Sequence, residues 1–107
     1  MPARNSAASA NRGVPDVDAG QRARYQRAIE QLDEEIQLRP SHRAYVRRGN
    51  AFEALGKYQG AIADYDQAIR LQPGALYVYY LRGIAKFKSG KQAGGEKDFQ
   101  TAKDLGF

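Results

Sequence analysis

The 107-residue chain contains no cysteine and only one histidine. The absence of cysteine excludes disulfides and thiolate metal sites, and one histidine is too few for a typical zinc site, so no cofactor or metal is expected. No apolar run approaches the ~20 residues that a bilayer-spanning helix needs. Residues 1–20 also lack the hydrophobic stretch of a secretory signal. We therefore expect a cytoplasmic protein of one domain without membrane insertion.

Residues suited to catalysis are equally scarce. The single histidine, His42, stands at the start of a helical pattern, where we expect a solvated side chain rather than a catalytic base. The two Gly-Lys pairs lack the upstream glycine and the following Ser/Thr of a phosphate-binding loop. Asp64 and Asp66 are two residues apart on a helical pattern, so their carboxylates point to different sides. The sequence predicts a protein that is not an enzyme.

An internal repeat of 34 residues is present instead. The segments 42–73 and 76–107 align without a gap and share identical residues at ten positions. A fixed period of this length is typical of a solenoid, in which each unit buries its apolar face only by stacking on its neighbours. The identical pairs are Tyr45/Tyr79, Arg48/Arg82, Gly49/Gly83, Ala51/Ala85, Gly56/Gly90, Lys57/Lys91, Gly60/Gly94, Asp64/Asp98, Ala68/Ala102 and Leu71/Leu105.

Apolar spacing and helix-ending residues predict an all-α chain of about five helices. Residues 1–18 are rich in Ala, Ser, Asn and Arg and show no apolar period, which predicts a disordered tail. Helices are then predicted over 19–40, 42–55, 58–73, 76–89 and 92–105, with Ser41 as the N-cap of the second. The first helix aligns with the third at an offset of 33 residues. The organisation is therefore a half repeat (19–40) followed by repeats at 42–75 and 76–107.

The central repeat resembles the tetratricopeptide repeat family. The matching residues are Tyr45, Gly49, Phe52, Gly56, Tyr58, Ala61, Tyr65, Ala68 and Pro73. The resemblance extends over roughly 25–105 and implies a right-handed superhelical solenoid of antiparallel helix pairs. In such a unit, small residues such as Gly49 and Ala61 allow the two helix backbones to approach closely.

Two departures from the family pattern lead to specific expectations. Gly95 stands where alanine is usual, beside Gly94, and two glycines in one helix predict fraying at the start of the fifth helix. Arg48 stands where leucine is common, and both Arg48 and Asp64 recur in the next repeat. Their recurrence indicates an Arg–Asp pair between the two helices of each repeat. A guanidinium that lies in water above a packed stem is the alternative.

The resemblance also implies a concave groove lined by the first helix of each pair. The implied residues are Arg43, Val46, Arg47, Asn50, Glu53 and Ala54 in one repeat, and Tyr77, Tyr80, Leu81, Ile84, Phe87 and Lys88 in the next. Segment 42–58 has four basic residues and one acid (net +3), and segment 76–91 has four basic residues and no acid (net +4). We predict a protein-interaction module or adaptor whose groove binds an extended or acidic peptide or partner protein. Alternatively, the aromatic residues pack on a neighbour and the basic ones form a solvated face.

Other binding functions remain open at this stage. The last helix pattern has no polar capping helix after it, so the chain could be a scaffold that forms a homodimer through Phe99, Ala102, Leu105 and Phe107. Family members that grip a chaperone's terminal carboxylate have lysine where this chain has Val46, so this mode is not favoured. Nucleic acid is not favoured either, because the net charge of +5 is modest and the lysines are dispersed.

Overall fold

The computed structural model describes residues 17–107, which form five α-helices and no strand. The helices are α1 (Ala19–Leu38), α2 (His42–Ala54), α3 (Tyr58–Leu71), α4 (Leu76–Lys88) and α5 (Gln92–Asp104). The all-α prediction is therefore confirmed. The predicted disordered tail falls almost entirely on residues 1–16, which lie outside the described residues. The division into one half repeat and two full repeats stays a prediction.

Local sequence explains where the helices begin and end. The carboxylate of Asp18 accepts a hydrogen bond of 2.7 Å from the Gln21 backbone N–H, and the Gln21 side chain bonds the Asp18 backbone in return. Ser41 Oγ accepts from the Ala44 N–H at 3.0 Å, as predicted for an N-cap. The turns after α2 and α4 need a positive φ, which Gly56 and Gly90 supply at 75° and 90°.

Consecutive helices pack against each other in chain order, from α1 on α2 to α4 on α5. The larger core cluster joins α2, α3 and α4, and a smaller one joins α1 to α2. The larger cluster consists of Val46, Ala61, Ile62, Tyr65, Ala68, Val78 and Ala85, and the smaller one of Leu32, Ile36 and Ala44. Each helix therefore buries its apolar residues between its neighbours in the stack, as expected of a helical solenoid.

Glycine brings the two helices of each full repeat close together. A Cβ atom added at Gly49 would lie 2.7 Å from the Tyr65 ring, and one added at Gly83 would lie 2.6 Å from the Phe99 ring. Real Cβ atoms do not approach other carbons so closely, because interiors are already packed at high density. The repeated glycine is therefore a packing requirement at both positions.

Gly95 has a packing role that the sequence analysis did not anticipate. A Cβ atom there would lie 2.5 Å from Phe87 Cδ2 and 2.9 Å from the Gly83 carbonyl oxygen. The expected fraying is not present, because α5 runs as a continuous helix from Gln92. The first repeat has Ala61 and Glu53 where the second has Gly95 and Phe87. In the second repeat, glycine at position 95 therefore leaves the space of a methyl group beside the Phe87 ring.

The recurring arginines form the predicted ion pairs. Arg48 donates to both carboxylate oxygens of Asp64, at 2.8 and 2.7 Å, and its third nitrogen lies 2.8 Å from Asp33. Asp64 is buried, and its hydrogen bonds to Arg48 raise the pKa of Arg48 above its usual value. The alternative of a solvated guanidinium is therefore wrong.

The second arginine repeats this geometry one unit further along. Arg82 donates to both oxygens of Asp98, at 2.8 and 2.7 Å, and also contacts Asp66 at 2.7 Å. Asp66 belongs to the preceding helix, just as Asp33 does for Arg48. Each arginine therefore joins the two helices of its own repeat to the helix before them.

Candidate functional site

The predicted groove residues occupy three kinds of environment. One predicted residue, Val46, is buried. Four are partly buried: Glu53, Ala54, Leu81 and Ile84. Seven are exposed: Arg43, Arg47, Asn50, Tyr77, Tyr80, Phe87 and Lys88. The candidate surface of α2 and α4 therefore rests on the seven exposed side chains.

Val46 is a core residue and not a groove residue. It is 7% exposed and belongs to the cluster that includes Val78 and Ala85 of α4. The physical reason is that Val46 lies in a cluster whose other residues come from α3 and α4. The equivalent residue in the next repeat, Tyr80, is 40% exposed because no described helix packs beyond α4 on that side.

Three of the polar groove residues are engaged in contacts within the chain. The Tyr65 hydroxyl donates to Asn50 Oδ1 at 2.7 Å, which gives Asn50 a structural role. Lys88 Nζ lies 3.2 Å from both carboxylate oxygens of Glu53 and ties α4 to α2. Among residues 17–107, Arg47 makes no ion pair or side-chain hydrogen bond. The same is true of Arg43, so the basic half of the groove retains two arginines for a ligand.

His42 is a bridging residue and not a solvated one. Its Nδ1 lies 3.0 Å from the Ala68 carbonyl oxygen, and its Nε2 lies 2.7 Å from the Tyr77 hydroxyl. A carbonyl oxygen can only accept, so Nδ1 carries the proton and Nε2 of the neutral ring accepts from the tyrosine. The ring thereby joins the starts of α2 and α4 to the last turn of α3, and this corrects the expectation of a solvated side chain.

An aromatic cluster covers the open side of the second repeat. The ring of Tyr80 lies 5.4 Å from that of Phe99 and 4.8 Å from that of Phe107. The ring of Phe87 stacks on that of Phe99 at a centroid distance of 5.4 Å. The structure therefore unites residues that the sequence analysis assigned to two different surfaces, the groove and the self-association face.

Two of the four predicted self-association residues face inward. Ala102 is 1% exposed, and Phe99 is partly buried because it packs on rings from α4. Leu105 and Phe107, at 42% and 61% exposure, are the two of these four residues that are largely exposed. The predicted self-association face is therefore much smaller than the sequence indicated.

The position of Phe107 was not predicted, although the sequence contains a signal for it. Gly106 has a φ of 112°, and the Phe107 N–H donates to the Ala102 carbonyl oxygen at 3.0 Å. This is the helix ending in which a left-handed glycine is followed by a hydrophobic residue that folds back on the helix. The Gly106-Phe107 pair after the last apolar residue of α5 is the pattern that predicts it.

A cleft of about 380 Å³ lies between α1 and α2. It is open to solvent, and three of its lining residues come from α1, which the sequence analysis did not connect to any site. The lining residues are Tyr25, Ala28, Leu32, Arg47, Asn50, Ala51 and Ala54. The overlooked signal was the half repeat, since a second helix without a first leaves one of its faces open.

Neither a metal-holding cluster of side chains nor a membrane-spanning helix is present among residues 17–107. Within residues 17–107, no three His, Cys, Asp or Glu side chains stand close enough together to hold a metal ion. None of the five helices is both long enough and apolar enough to cross a membrane. The exposed features of this surface are thus aromatic rings, arginines and an open cleft, which suit contacts with another polypeptide.

Comparison with known proteins gives the same class. The family model described as "Tetratricopeptide repeat" matches residues 42–74. The tetratricopeptide repeat and J domain-containing co-chaperone DNJ1 of Cryptococcus neoformans var. grubii serotype A is 29% identical over 78 residues, which are 72% of this chain and 15% of that protein. TPR repeat-containing protein MJ1428 of Methanocaldococcus jannaschii is 30% identical over 67 residues, or 63% of this chain and 12% of its own length.

A further relative is TPR repeat-containing protein MJ1345 of the same archaeon, which is 29% identical over 66 residues, 62% of this chain and 21% of that protein. The chain thus spans between 12% and 21% of the length of these relatives. Together with the repeated helix pairs and the five-helix architecture, these matches identify the class. Residues 42–74 match the tetratricopeptide repeat, and the five helices have the architecture of a tetratricopeptide-repeat fold.

Proposed function

We propose that this tetratricopeptide-repeat chain is an adaptor that binds an extended, acidic segment of a partner protein along α2 and α4. The family is a protein-interaction fold, and that coarse function applies here. The finer proposal rests on one observation. α4 carries exposed aromatic rings, and two exposed α2 arginines, Arg43 and Arg47, have no ion-pair partner within residues 17–107.

Both components of this surface suit a peptide ligand. Tyr77, Tyr80 and Phe87 are each 39–46% exposed, so each can bury further apolar area when a ligand binds. Arginine binds carboxylates through two parallel hydrogen bonds, and an arginine without an internal partner loses no existing pair on binding. An acidic segment that carries apolar side chains therefore matches the surface better than a basic or purely polar one.

The relatives support the interaction role without naming a ligand for this chain. One of them is described as a co-chaperone, and the matched region is 15% of its length. Part of the proposal is that the chain has no catalytic role, because its one histidine is engaged between helices. A cytoplasmic location stays an expectation from the sequence.

The proposal is tested by affinity capture followed by titration of the purified partner. We compare the wild type with the double variant Arg43→Glu/Tyr80→Ser, and use Lys97→Glu on the exposed face of α5 as the charge control. Circular dichroism first establishes that all three are equally folded. We expect the double variant to bind at least about tenfold more weakly, with a loss of affinity at higher salt for the wild type and the control.

Two outcomes overturn the proposal. If the double variant binds as tightly as the wild type, the partner contacts another surface. If the wild type captures only further copies of itself, the chain is a self-associating scaffold. In that case the exposed Leu105 and Phe107 are the first residues to examine.

A further inference from the structure

The two ends of the helix stack differ. At the α1 end, the arrangement of α2, α3 and α4 shows where a helix before α1 would lie. Asp33 of α1 contacts Arg48 of α2 at 2.8 Å, just as Asp66 of α3 contacts Arg82 of α4 at 2.7 Å. The 33-residue offset seen in the sequence is therefore reproduced in three dimensions. It follows that α1 is placed against α2 as α3 is placed against α4.

On its other side α3 is covered by α2, whereas no helix of residues 17–107 covers that side of α1. Tyr65 of α3 is covered by the close approach of Gly49, and Gly60 of α3 faces the ring of Phe52. The α1 counterparts of Tyr58, Ala61 and Tyr65 are Tyr25, Ala28 and Leu32. These three residues line the cleft of about 380 Å³. The cleft is thus the place in which a helix equivalent to α2 would lie.

We propose that this cleft is a docking site for an acidic amphipathic α-helix of a partner protein, which completes the half repeat by adding its missing first helix. The site goes beyond the proposed function, because the surface is different and the ligand is helical instead of extended. Arg47 borders both surfaces, but the floor of the cleft belongs to α1. The docked helix would lie against α1 as α2 lies against α3. We therefore expect it to be α-helical and to run in the direction of α2.

The charge of the cleft defines the chemistry of that helix. Arg47 lies in the cleft and has no ion-pair partner within residues 17–107. It takes the repeat position of Leu81, which packs against the cluster that contains Val46. An acid at the position equivalent to Val46 would therefore meet Arg47.

A second arginine lies on α1, outside the lining of the cleft but next in sequence to Ala28. Arg27 is exposed and takes the repeat position of Gly60, the residue of α3 that faces Phe52. An acid at the position equivalent to Phe52 would meet Arg27. α1 has Gln31 where α3 has the buried Asp64, so the docked helix needs no arginine at its centre.

The middle of the docked helix needs a small residue. In the template this residue is Gly49, which lies against the Tyr65 ring. The smaller Leu32 replaces that ring in α1, so alanine fits as well as glycine. The recognition pattern is therefore an acid, a small residue three positions later and a second acid three positions after that.

Other occupants fit the cleft less well. α3 and α5 each begin directly after a three-residue turn that connects them to the preceding helix. α1 instead begins at Ala19, six residues before Tyr25, which is the counterpart of the first residue of α3. No turn at this point therefore leads the chain into the cleft. Residues 1–16 carry two arginines and one aspartate, which does not complement Arg27 and Arg47. A second copy offers no free equivalent of α2, because its own α2 is packed on α3.

A synthetic helix derived from α2 provides the probe. The acetylated and amidated peptide has the sequence His42–Ala54 with the changes Val46→Glu, Arg48→Gln, Gly49→Ala and Phe52→Glu. A matched control peptide carries lysine at both glutamate positions. Backbone amide shifts of the full chain are followed by NMR up to about 1 mM peptide, because a helix this short is marginal alone and binds weakly.

The expected result is a set of shifts at Tyr25, Ala28 and Ala51 with the acidic peptide, and affinity at least about tenfold lower for the lysine peptide. The variant Ala28→Arg, which fills the floor of the cleft, should abolish these shifts. The variant Ala63→Arg, on an exposed site of α3, should leave them unchanged. If Ala28→Arg is poorly folded by circular dichroism, Ala54→Arg replaces it.

Each other outcome overturns the docking proposal. Shifts confined to the surroundings of Tyr80 would mean that the peptide uses the α2–α4 groove, which supports the proposed function alone. Equal binding of the two peptides would remove the acidic specificity. No shift in the cleft at the highest concentration would remove the site. Neither equal binding of the two peptides nor the absence of shifts in the cleft bears on the groove between α2 and α4. The Arg43→Glu/Tyr80→Ser variant tests that groove separately.

Discussion

The two full repeats share their scaffold residues but differ where each faces the next helix. Asp64 and Asp98 are each 3% exposed, and Gly49 and Gly83 make the same close approach to an aromatic ring. In contrast, the position that is buried as Val46 in the first repeat is exposed as Tyr80 in the second. These shared contacts inside a repeat are therefore formed whichever helix follows, whereas contacts between repeats decide which side chains are exposed.

The largest expected difference between the repeats concerns their arginines. Arg48→Met keeps the apolar stem but leaves the buried Asp64 without its cation, which should cost about 3 kcal/mol of unfolding free energy. Arg82→Met should cost about 1–2 kcal/mol, because Lys86 Nζ lies 3.1 Å from Asp98 and supplies a second cation. Phe52 holds the position of Lys86 in the first repeat. Urea denaturation of both variants measures the difference.

Removal of the buried charge is the control for this prediction. Asp64→Asn added to Arg48→Met should recover part of the lost stability, since no uncompensated carboxylate then remains. Equal costs for the two arginine variants would show that Lys86 does not act as a second cation for Asp98.

The next prediction concerns the glycine pair at the start of α5. Gly95→Ala should destabilise the chain by about 1–3 kcal/mol, because its methyl group would meet the Phe87 ring and the Gly83 carbonyl. Gly94→Ala is the matched control and should stabilise by about 0.5–1 kcal/mol. Its methyl group would meet only the Lys86 side chain, whose Cδ lies 3.2 Å away and can shift by a few tenths of an ångström. Thermal unfolding of both single variants measures whether packing requires glycine at position 95 or whether alanine is accepted there as at position 94.

A second substitution tests the proposed exchange of a methyl group for a ring. Gly95→Ala should be less costly in a Phe87→Glu background, because that pair reproduces Ala61 and Glu53 of the first repeat. Additive costs in a double-mutant cycle would show that the two positions are not coupled.

Much of this architecture was predictable because the contacts within a repeat are encoded by the same residues each time. The recurrence of Arg48 and Asp64 in the next repeat was sufficient to predict their ion pair, and Ser41 was sufficient to predict its N-cap. These are local features, since each depends on one helix or on two adjacent helices. The helix bounds followed for the same reason.

The candidate surface was less predictable because it depends on which helix is absent next to a given face. The repeat position alone cannot distinguish Val46, which is buried in a cluster with α3 and α4 residues, from Tyr80, which is 40% exposed. The engagement of His42 with Tyr77 also needs three helices to be placed together. The cleft beside α1 was missed for a related reason. It lies where no helix of the described chain packs, so no residue pattern predicts it directly.

The smallest expected effect concerns the one buried tyrosine, which the second repeat replaces by phenylalanine. Tyr65 donates to Asn50, whereas the second repeat has Phe99 and Ile84 at the same two positions. Tyr65→Phe should therefore cost about 1 kcal/mol at neutral pH, because Asn50 loses a single hydrogen bond at an exposed site. The double variant Tyr65→Phe/Asn50→Ile should be closer to neutral, since both polar partners are then removed.

The pH dependence of this substitution separates the hydroxyl from the ring. Burial, with the nearby Glu53 and Asp64 carboxylates, raises the pKa of Tyr65 above the ordinary value of about 10. The folded state thus favours the neutral phenol, so this stabilisation is complete below about pH 10 and is lost as the pH rises towards the folded-state pKa. The difference in unfolding free energy between wild type and Tyr65→Phe should shrink above about pH 10. Taking this difference cancels the contributions of the other tyrosines and the lysines, which are present in both proteins. A difference that stays constant through this pH range would show that the Tyr65 hydroxyl is not shielded from water.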